Sequence, residues 1–313
     1  MSDSNHSDHS DYGYTPSLAP AVAFIVLFSV SAIVHSIQAF RSRYWIVYPT
    51  LVLGALVEIL GWSARLWSHE NVLLLTPFLM QISTLIIAPV FFSAFDYTLL
   101  GVAISRLGPQ YSILRPTWYL AIFLVADTIS LVIQAVGGGK ASAAAAKGIP
   151  TASATDTMVA GIIIQMIAMA VFVGLAFDFI WRASLKKPYA FQERRLEKII
   201  AKSVSDRGVG SVEKVGRDGR IGQGEESLRN WWILMAGVAI SSVMILLRGD
   251  HIAYYTGIYR SIELKQGWSG HLMTTEIFSI CLDAIPMVIA VAVFNFINPV
   301  FLLPRRPVWK GYH

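Results

Sequence analysis

Nine polar side chains interrupt the apolar stretches of this chain: Glu58, Gln81, Asp96, Asp127, Gln134, Gln165, Asp178, Glu276 and Asp283. An ionisable group inside a hydrocarbon span is costly and usually faces the interior of a helix bundle, which makes each one a functional candidate by default. At about 1.5 Å rise per residue, Asp127 and Asp283 fall near the middle of their runs. Glu58, Gln134, Gln165 and Glu276 fall in the outer half. Asp96 and Asp178 fall near the cytosolic ends, where interfacial positions are expected. No lysine or arginine matches the depth of the outer acids, and Arg65, Arg248 and Arg260 collect at the outer rim. Two readings follow. The acids are protonated, or pair with rim arginines and backbone, and lock the bundle together. Alternatively Glu58, Asp127, Gln134, Gln165, Glu276 and Asp283 line an outward-facing cavity for an amphipathic molecule, with carboxylates as counter-charges for an amine.

Other chemistries find little support. His35 stands alone in its span, His251 and His271 form no HxxxH pair, and no metal site or cofactor is expected. The 137–139 glycine run before Lys140 lacks the spacing and hydroxyl of a phosphate loop and reads as a turn or a close backbone approach. Arg248-Gly249-Asp250 is an adhesion tripeptide by letters only. The last apolar run holds no lysine for a retinal Schiff base.

The elements that position these residues are spanning helices. About 20 apolar residues cross about 30 Å of hydrocarbon, and seven runs qualify: 18–40, 45–67, 73–103, 118–136, 158–181, 231–247 and 272–296. Trp45, Trp67, Trp118, Trp181 and Trp231 sit at their ends, where an interfacial aromatic belt belongs. The expected fold is an all-α integral membrane protein of seven transmembrane helices. With the N-terminus outside and the C-terminus cytosolic, 19 Lys and Arg fall on the cytosolic side and 6 on the other, as the positive-inside rule requires. The chain then divides into an outer polar tail (1–17), a membrane domain (18–299) and a cytosolic tail (300–313). Residues 1–17 have neither a basic stretch nor an apolar core, so no secretory leader is expected and the first span targets the chain. Asn5, in the Asn5-His6-Ser7 sequon, is the glycosylation candidate and lies on the side assigned outside.

The bulk numbers agree with that layout. Charged residues make up 14% of the 313 positions and hydrophobic ones 55%, with a mean hydropathy of +0.55, against about 25% charged in a soluble domain. The net charge of +5 comes largely from the 182–229 connection. Its 186–202 stretch reads as a basic amphipathic helix suited to an anionic cytosolic leaflet, and 203–224 as a Gly-rich linker. A solvated loop, a leaflet contact or an unknown protein partner would each account for it, and nucleic acid is not an expected partner. Cys281 is the single cysteine, so no internal disulfide is available.

Several stretches carry a resemblance. They are Tyr14-Thr15-Pro16-Ser17 with His35, and Glu58-Ile59-Leu60-Gly61-Trp62-Ser63-Ala64-Arg65, with Trp62 where Tyr is more usual. Further on come Gln81, Ala88-Pro89 and Ala94-Phe95-Asp96-Tyr97. Asp127, Ser130, Gln134 and the 137–139 glycines follow, then Gly161 and Gln165. The last block is Ile258-Tyr259-Arg260-Ser261-Ile262-Glu263, then Gly267, Gly270, Glu276, Asp283 and Met287. In this order the sequence resembles the fungal lipid-translocating exporter family, RTA-like proteins named for resistance to aminocholesterol. One departure stands out: Thr256 occupies the position of a second arginine, and Arg248 is its candidate counterpart, displaced by an insertion at 249–256. The resemblance implies export of lipids or toxic amphiphiles such as sphingoid bases, with resistance as the outcome. It implies Arg65, Arg260 and Glu263 as outer-rim ion-pair candidates, no enzymatic activity, and a plasma-membrane rather than an internal location. A seven-helix receptor or lipid and stress sensor remains the alternative, although the usual outer disulfide of receptors is out of reach.

Overall fold

Apolar runs broken by proline and glycine dictate long helices with short connections, and the computed structural model has this form. It describes residues 16–72, 74–147, 149–150, 152–192, 194, 225–257 and 279–297. The helices are α1 (Leu18–Ser42), α2 (Leu53–Glu70), α3 (Leu75–Leu107), α4 (Pro116–Ala146), α5 (Ala152–Leu185), α6 (Glu225–Gly257) and α7 (Ile285–Phe296). A 3₁₀ turn (Trp45–Val47) and a π turn (Tyr48–Val52) lead into α2, and a π turn (Ser279–Ala284) leads into α7. No strand occurs among the described residues.

Six stretches, α1, the 45–70 stretch that ends in α2, and parts or all of α3 to α6, are long and apolar enough to cross a membrane. The described part of the seventh, α7, is an apolar helix of 12 residues. The 1–15 tail, Asn5, Arg260, Glu263, Glu276 and most of the basic connection lie outside the described residues.

Neighbours in sequence pack as neighbours in space, and α7 returns to α1 to close the ring. Within it, α3 also touches α5, α6 and α7, so it is the central helix. That explains its composition: Phe92, Phe95, Leu99, Leu100, Ala103 and Ile104 are all buried, while α1 leaves every third or fourth apolar residue on the outer surface. Trp45, Trp67, Trp118 and Trp181 are exposed, as a belt requires, but Trp231 is buried against the core. Trp62, fully buried, tilts against Phe24 of α1 at 4.5 Å.

Two boundaries differ from the sequence reading. The fourth helix does not end at 136 but continues through its glycines to Ala146. Gly137 is therefore a helix-packing residue: a Cβ there would lie 2.5 Å from the Met158 backbone nitrogen of α5. Gly161 answers it from α5, where a Cβ would lie 2.8 Å from the Ser130 carbonyl. Small residues at such crossings let two membrane helices approach backbone to backbone. The sixth helix runs without a break through 249–256 to Gly257, so the proposed insertion extends α6.

On the cytosolic side of the assignment, the fifth connection begins by turning back onto the protein. Lys186 takes a left-handed backbone (φ 52°). The Tyr189 amide then donates to the Gln110 carbonyl (2.9 Å), and Gln192 Nε2 donates to the carbonyls of Ser112 and Ile113. Asp178 at this end accepts from Arg182 Nε (3.1 Å) and from the Tyr189 hydroxyl (2.7 Å), with the guanidinium 3.8 Å above the tyrosine ring. Burial and the hydrogen bond to Asp178 both push the Tyr189 hydroxyl above its ordinary range. Asp178 is thus half-buried and paired near the end of α5.

Candidate functional site

Proline in a helix cannot donate to the carbonyl four residues back, so that oxygen needs another donor. Pro89 of α3 frees the Leu85 carbonyl in this way, and Arg248 of α6 supplies the donor, with Nη2 2.5 Å away. The same guanidinium pairs through Nε with Asp283 in the turn before α7. Arg248 is 6% exposed. Its side chain therefore leaves the outer rim and reaches inward to the depth of the acids, which corrects the expectation that no cation matches them. Glu58 of α2 is buried and lies within electrostatic range of both Arg248 and Asp283. Two carboxylates and one guanidinium thus share the junction of α2, α3, α6 and α7, and Glu58 Oε1 has no hydrogen-bond partner.

Beside this cluster a narrow cleft of about 40 Å³ opens between α3, α4, α5 and α6. Asp127, Gln134, Gln165 and Arg248 line it together with Ser93 and Tyr97. Ser93 Oγ and the Tyr97 hydroxyl both donate to Asp127 Oδ2, each at 3.0 Å. Gln134 Nε2 donates to Gln165 Oε1 at 3.0 Å, bridging α4 and α5. Asp127 Oδ1 and Gln134 Oε1 are buried and have no partner. The apolar wall comes from Ile162, Met166, Met169, Ile245 and Leu246.

Of the residues singled out by sequence, the structure gathers Asp127, Gln134 and Gln165 on one cleft. It places Glu58 and Asp283 on the adjoining charge cluster. Arg65 is buried, its guanidinium 5.7 Å over the Trp62 ring. The other rim ion-pair candidates, Arg260 and Glu263, like Glu276, fall outside the described residues. Asp96, expected near an interface, is fully buried in protein and accepts from Ser242 Oγ of α6 at 2.9 Å. Because α3 is the central helix, a polar residue toward its end still faces protein. Sequence reasoning gave Ser93 and Tyr97 no role at the site, although their spacing of four puts both on one face of α3, the face that meets Asp127. The Pro89 to Leu85 relation was also readable.

A second polar seam joins α1 to α7. His35 Nε2 bonds the Val291 carbonyl (3.1 Å), Gln38 Nε2 donates to the Asn295 carbonyl (3.2 Å), and Asn295 Nδ2 donates to Ser31 Oγ (2.9 Å). His35 is thus a packed polar residue that closes the ring of helices. No group of three His, Cys, Asp or Glu side chains is placed to hold a metal ion among the described residues.

The family described as RTA1 like protein matches residues 51–306. The sphingoid long-chain base transporter RSB1 of Saccharomyces cerevisiae is 31% identical over 305 residues, covering 96% of this chain and 77% of that protein. Protein RTA1 of the same yeast is 26% identical over 319 residues, 94% of this chain and 86% of its own length. Protein RTM1 is 25% identical over 332 residues, 93% and 92%. No solved structure matches.

Proposed function

We propose that this chain, which belongs to the RTA1-like protein family, is a membrane translocator that exports lipids or toxic amphiphiles of the sphingoid-base kind. One observation carries the reading: a cleft between four helices holds a buried carboxylate and two amides, with acceptor oxygens unpartnered. Such groups are costly in hydrocarbon and mark a path for a polar headgroup. The family tie to a protein named as a sphingoid long-chain base transporter supports the same substrate class.

The site is Asp127, Gln134 and Gln165, with Glu58, Asp283 and Glu276 as further counter-charges and Arg65, Arg260 and Glu263 at the rim. The topology is seven spans with the N-terminus outside, supported by the charge asymmetry and by six described helices of spanning length. The location is the plasma membrane, and the basic 182–229 connection meets its anionic leaflet beyond the docked start at Tyr189. At about 40 Å³ the cleft admits water but not a long-chain amphiphile, so transport requires the helices around it to separate.

The test is reconstitution. Purified protein in liposomes is offered a fluorescent sphingoid base, and leaflet exchange is followed against protein-free vesicles. Exchange well above the empty-vesicle rate is expected. Equal rates would end the translocator reading.

A further inference from the structure

Asp127 differs from Asp283, Asp178, Glu58 and Asp96 in combining an unpartnered buried oxygen with a place on the cleft. Glu58 Oε1 and Asp96 Oδ1 are also unpartnered, but neither residue lines it. Asp283 has Arg248 and Asp178 has Arg182. Glu58 lies in the field of Arg248. Asp96 is bonded by Ser242 and does not line the cleft. Asp127 has two hydroxyl donors on Oδ2, while Oδ1 is buried and unpartnered; the residue lines the cleft and is 1% exposed.

The groups packed around it offer no free cation. From α3 come Tyr97 and, behind it, Asp96. From α5 the cleft is lined by Ile162, Gln165, Met166 and Met169, none of them charged. From α6 comes Arg248, whose guanidinium is already engaged by Asp283 and the Leu85 carbonyl. Among the described residues no lysine or arginine pairs with Asp127. A buried carboxylate with no cation beside it is costly, and two hydroxyl donors to one oxygen offset that cost only in part. The site therefore holds either a proton or a mobile cation, and the cleft of about 40 Å³ has room for a few waters that deliver the proton.

Resting on the translocator reading, we propose that Asp127 takes a proton and a cationic amphiphile in turn, making the chain a proton-coupled antiporter. Facing the cytosol, the Asp127 O–H gives its proton to cytosolic water and the carboxylate pairs with the substrate ammonium. Facing outward, the ammonium leaves and an Asp127 oxygen takes a proton from outer water. One cation moves out, one proton moves in, and no net charge crosses.

One-for-one exchange fixes the magnitude: each unit of pH difference supports about a tenfold cation gradient at steady state, about 1.4 kcal/mol. The probe is a fluorescent long-chain quaternary ammonium, which cannot itself carry a proton, in proteoliposomes loaded with a pH-reporting dye. Imposing one unit of pH difference should drive about tenfold accumulation of the probe on the acidic side. Protons should move the opposite way, and clamping the membrane potential to zero should leave the final ratio unchanged. D127N, shown folded by its elution profile and thermal unfolding, should abolish the proton counterflow. Probe flux indifferent to the pH difference, with no proton counterflow, overturns the coupling while leaving translocation standing. No probe flux under any gradient overturns the translocator reading itself.

Discussion

Replacing Arg248 with methionine removes a side chain that ties α6 to both α3 and the turn before α7. Two groups lose their partner. Breaking a buried ion pair from one side costs about 3–5 kcal/mol, and Asp283, at 17% exposed, belongs at the lower end of that range. A buried carbonyl left without a donor costs about 1–3 kcal/mol, and the Leu85 oxygen has no intrahelical donor because residue 89 is proline. The sum is about 4 kcal/mol or more, roughly a 10 °C fall in Tm for a chain of this size. Pro89→Ala restores an amide hydrogen four residues beyond Leu85. It should therefore help more in the Arg248→Met background than in the wild type, by about 1 kcal/mol or more of non-additivity. Thermal unfolding in detergent, followed by tryptophan fluorescence, measures all four proteins. A Tm for Arg248→Met within about 2 °C of wild type would refute this account of α3 and α6. Equal gains from Pro89→Ala in both backgrounds would refute it too.

Gly161→Ala forces a Cβ to within 2.8 Å of the Ser130 carbonyl and should cost about 1–3 kcal/mol through overpacking. Gly174→Ala, with nothing within 4 Å, is its control and should not lower Tm in the same unfolding assay. Ser242→Ala removes a hydroxyl donor from the buried Asp96 and should cost about 1–3 kcal/mol, which the same assay reads. Replacing both Ser93 and Tyr97, as Ser93→Ala with Tyr97→Phe, leaves Asp127 Oδ2 without its donors. Liposome exchange of a fluorescent sphingoid base should then fall at least several-fold while the protein still elutes as a folded species.

Much of this molecule was legible as text, and the failures have physical causes. Apolar length placed the first six helices, because a hydrocarbon span leaves backbone groups no alternative to helix. Depth along a helix did not reveal which way a residue faces. Asp96 was assigned to an interface by its distance from the helix end, yet α3 is walled by protein on all sides there. The sequence position of Arg248 predicts the rim, but an arginine side chain spans several ångströms, and this one reaches inward to an acid and a bare carbonyl. The 137–139 glycines read as a turn or a close backbone approach; the turn is absent, because α4 continues to Ala146, and the close approach occurs at Gly137. Between α4 and α5 the same residue type permits contact at Gly137, so packing overrode propensity. The pairing of Gln134 with Gln165 could be suspected from depth alone, whereas the role of Ser93 and Tyr97 depended on the rotation of α3 against α4.

The central claim is that the Asp127 cleft carries the substrate's polar end. Its most direct test compares wild type, Asp127→Asn and Thr128→Ala in the liposome exchange assay, at matched amounts of folded protein. Thr128 is the next residue but is exposed on the outer surface of α4, its hydroxyl returned to the Leu124 carbonyl. The account predicts that Asp127→Asn falls to the rate of empty vesicles while Thr128→Ala keeps the wild-type rate. Full exchange by Asp127→Asn would contradict it.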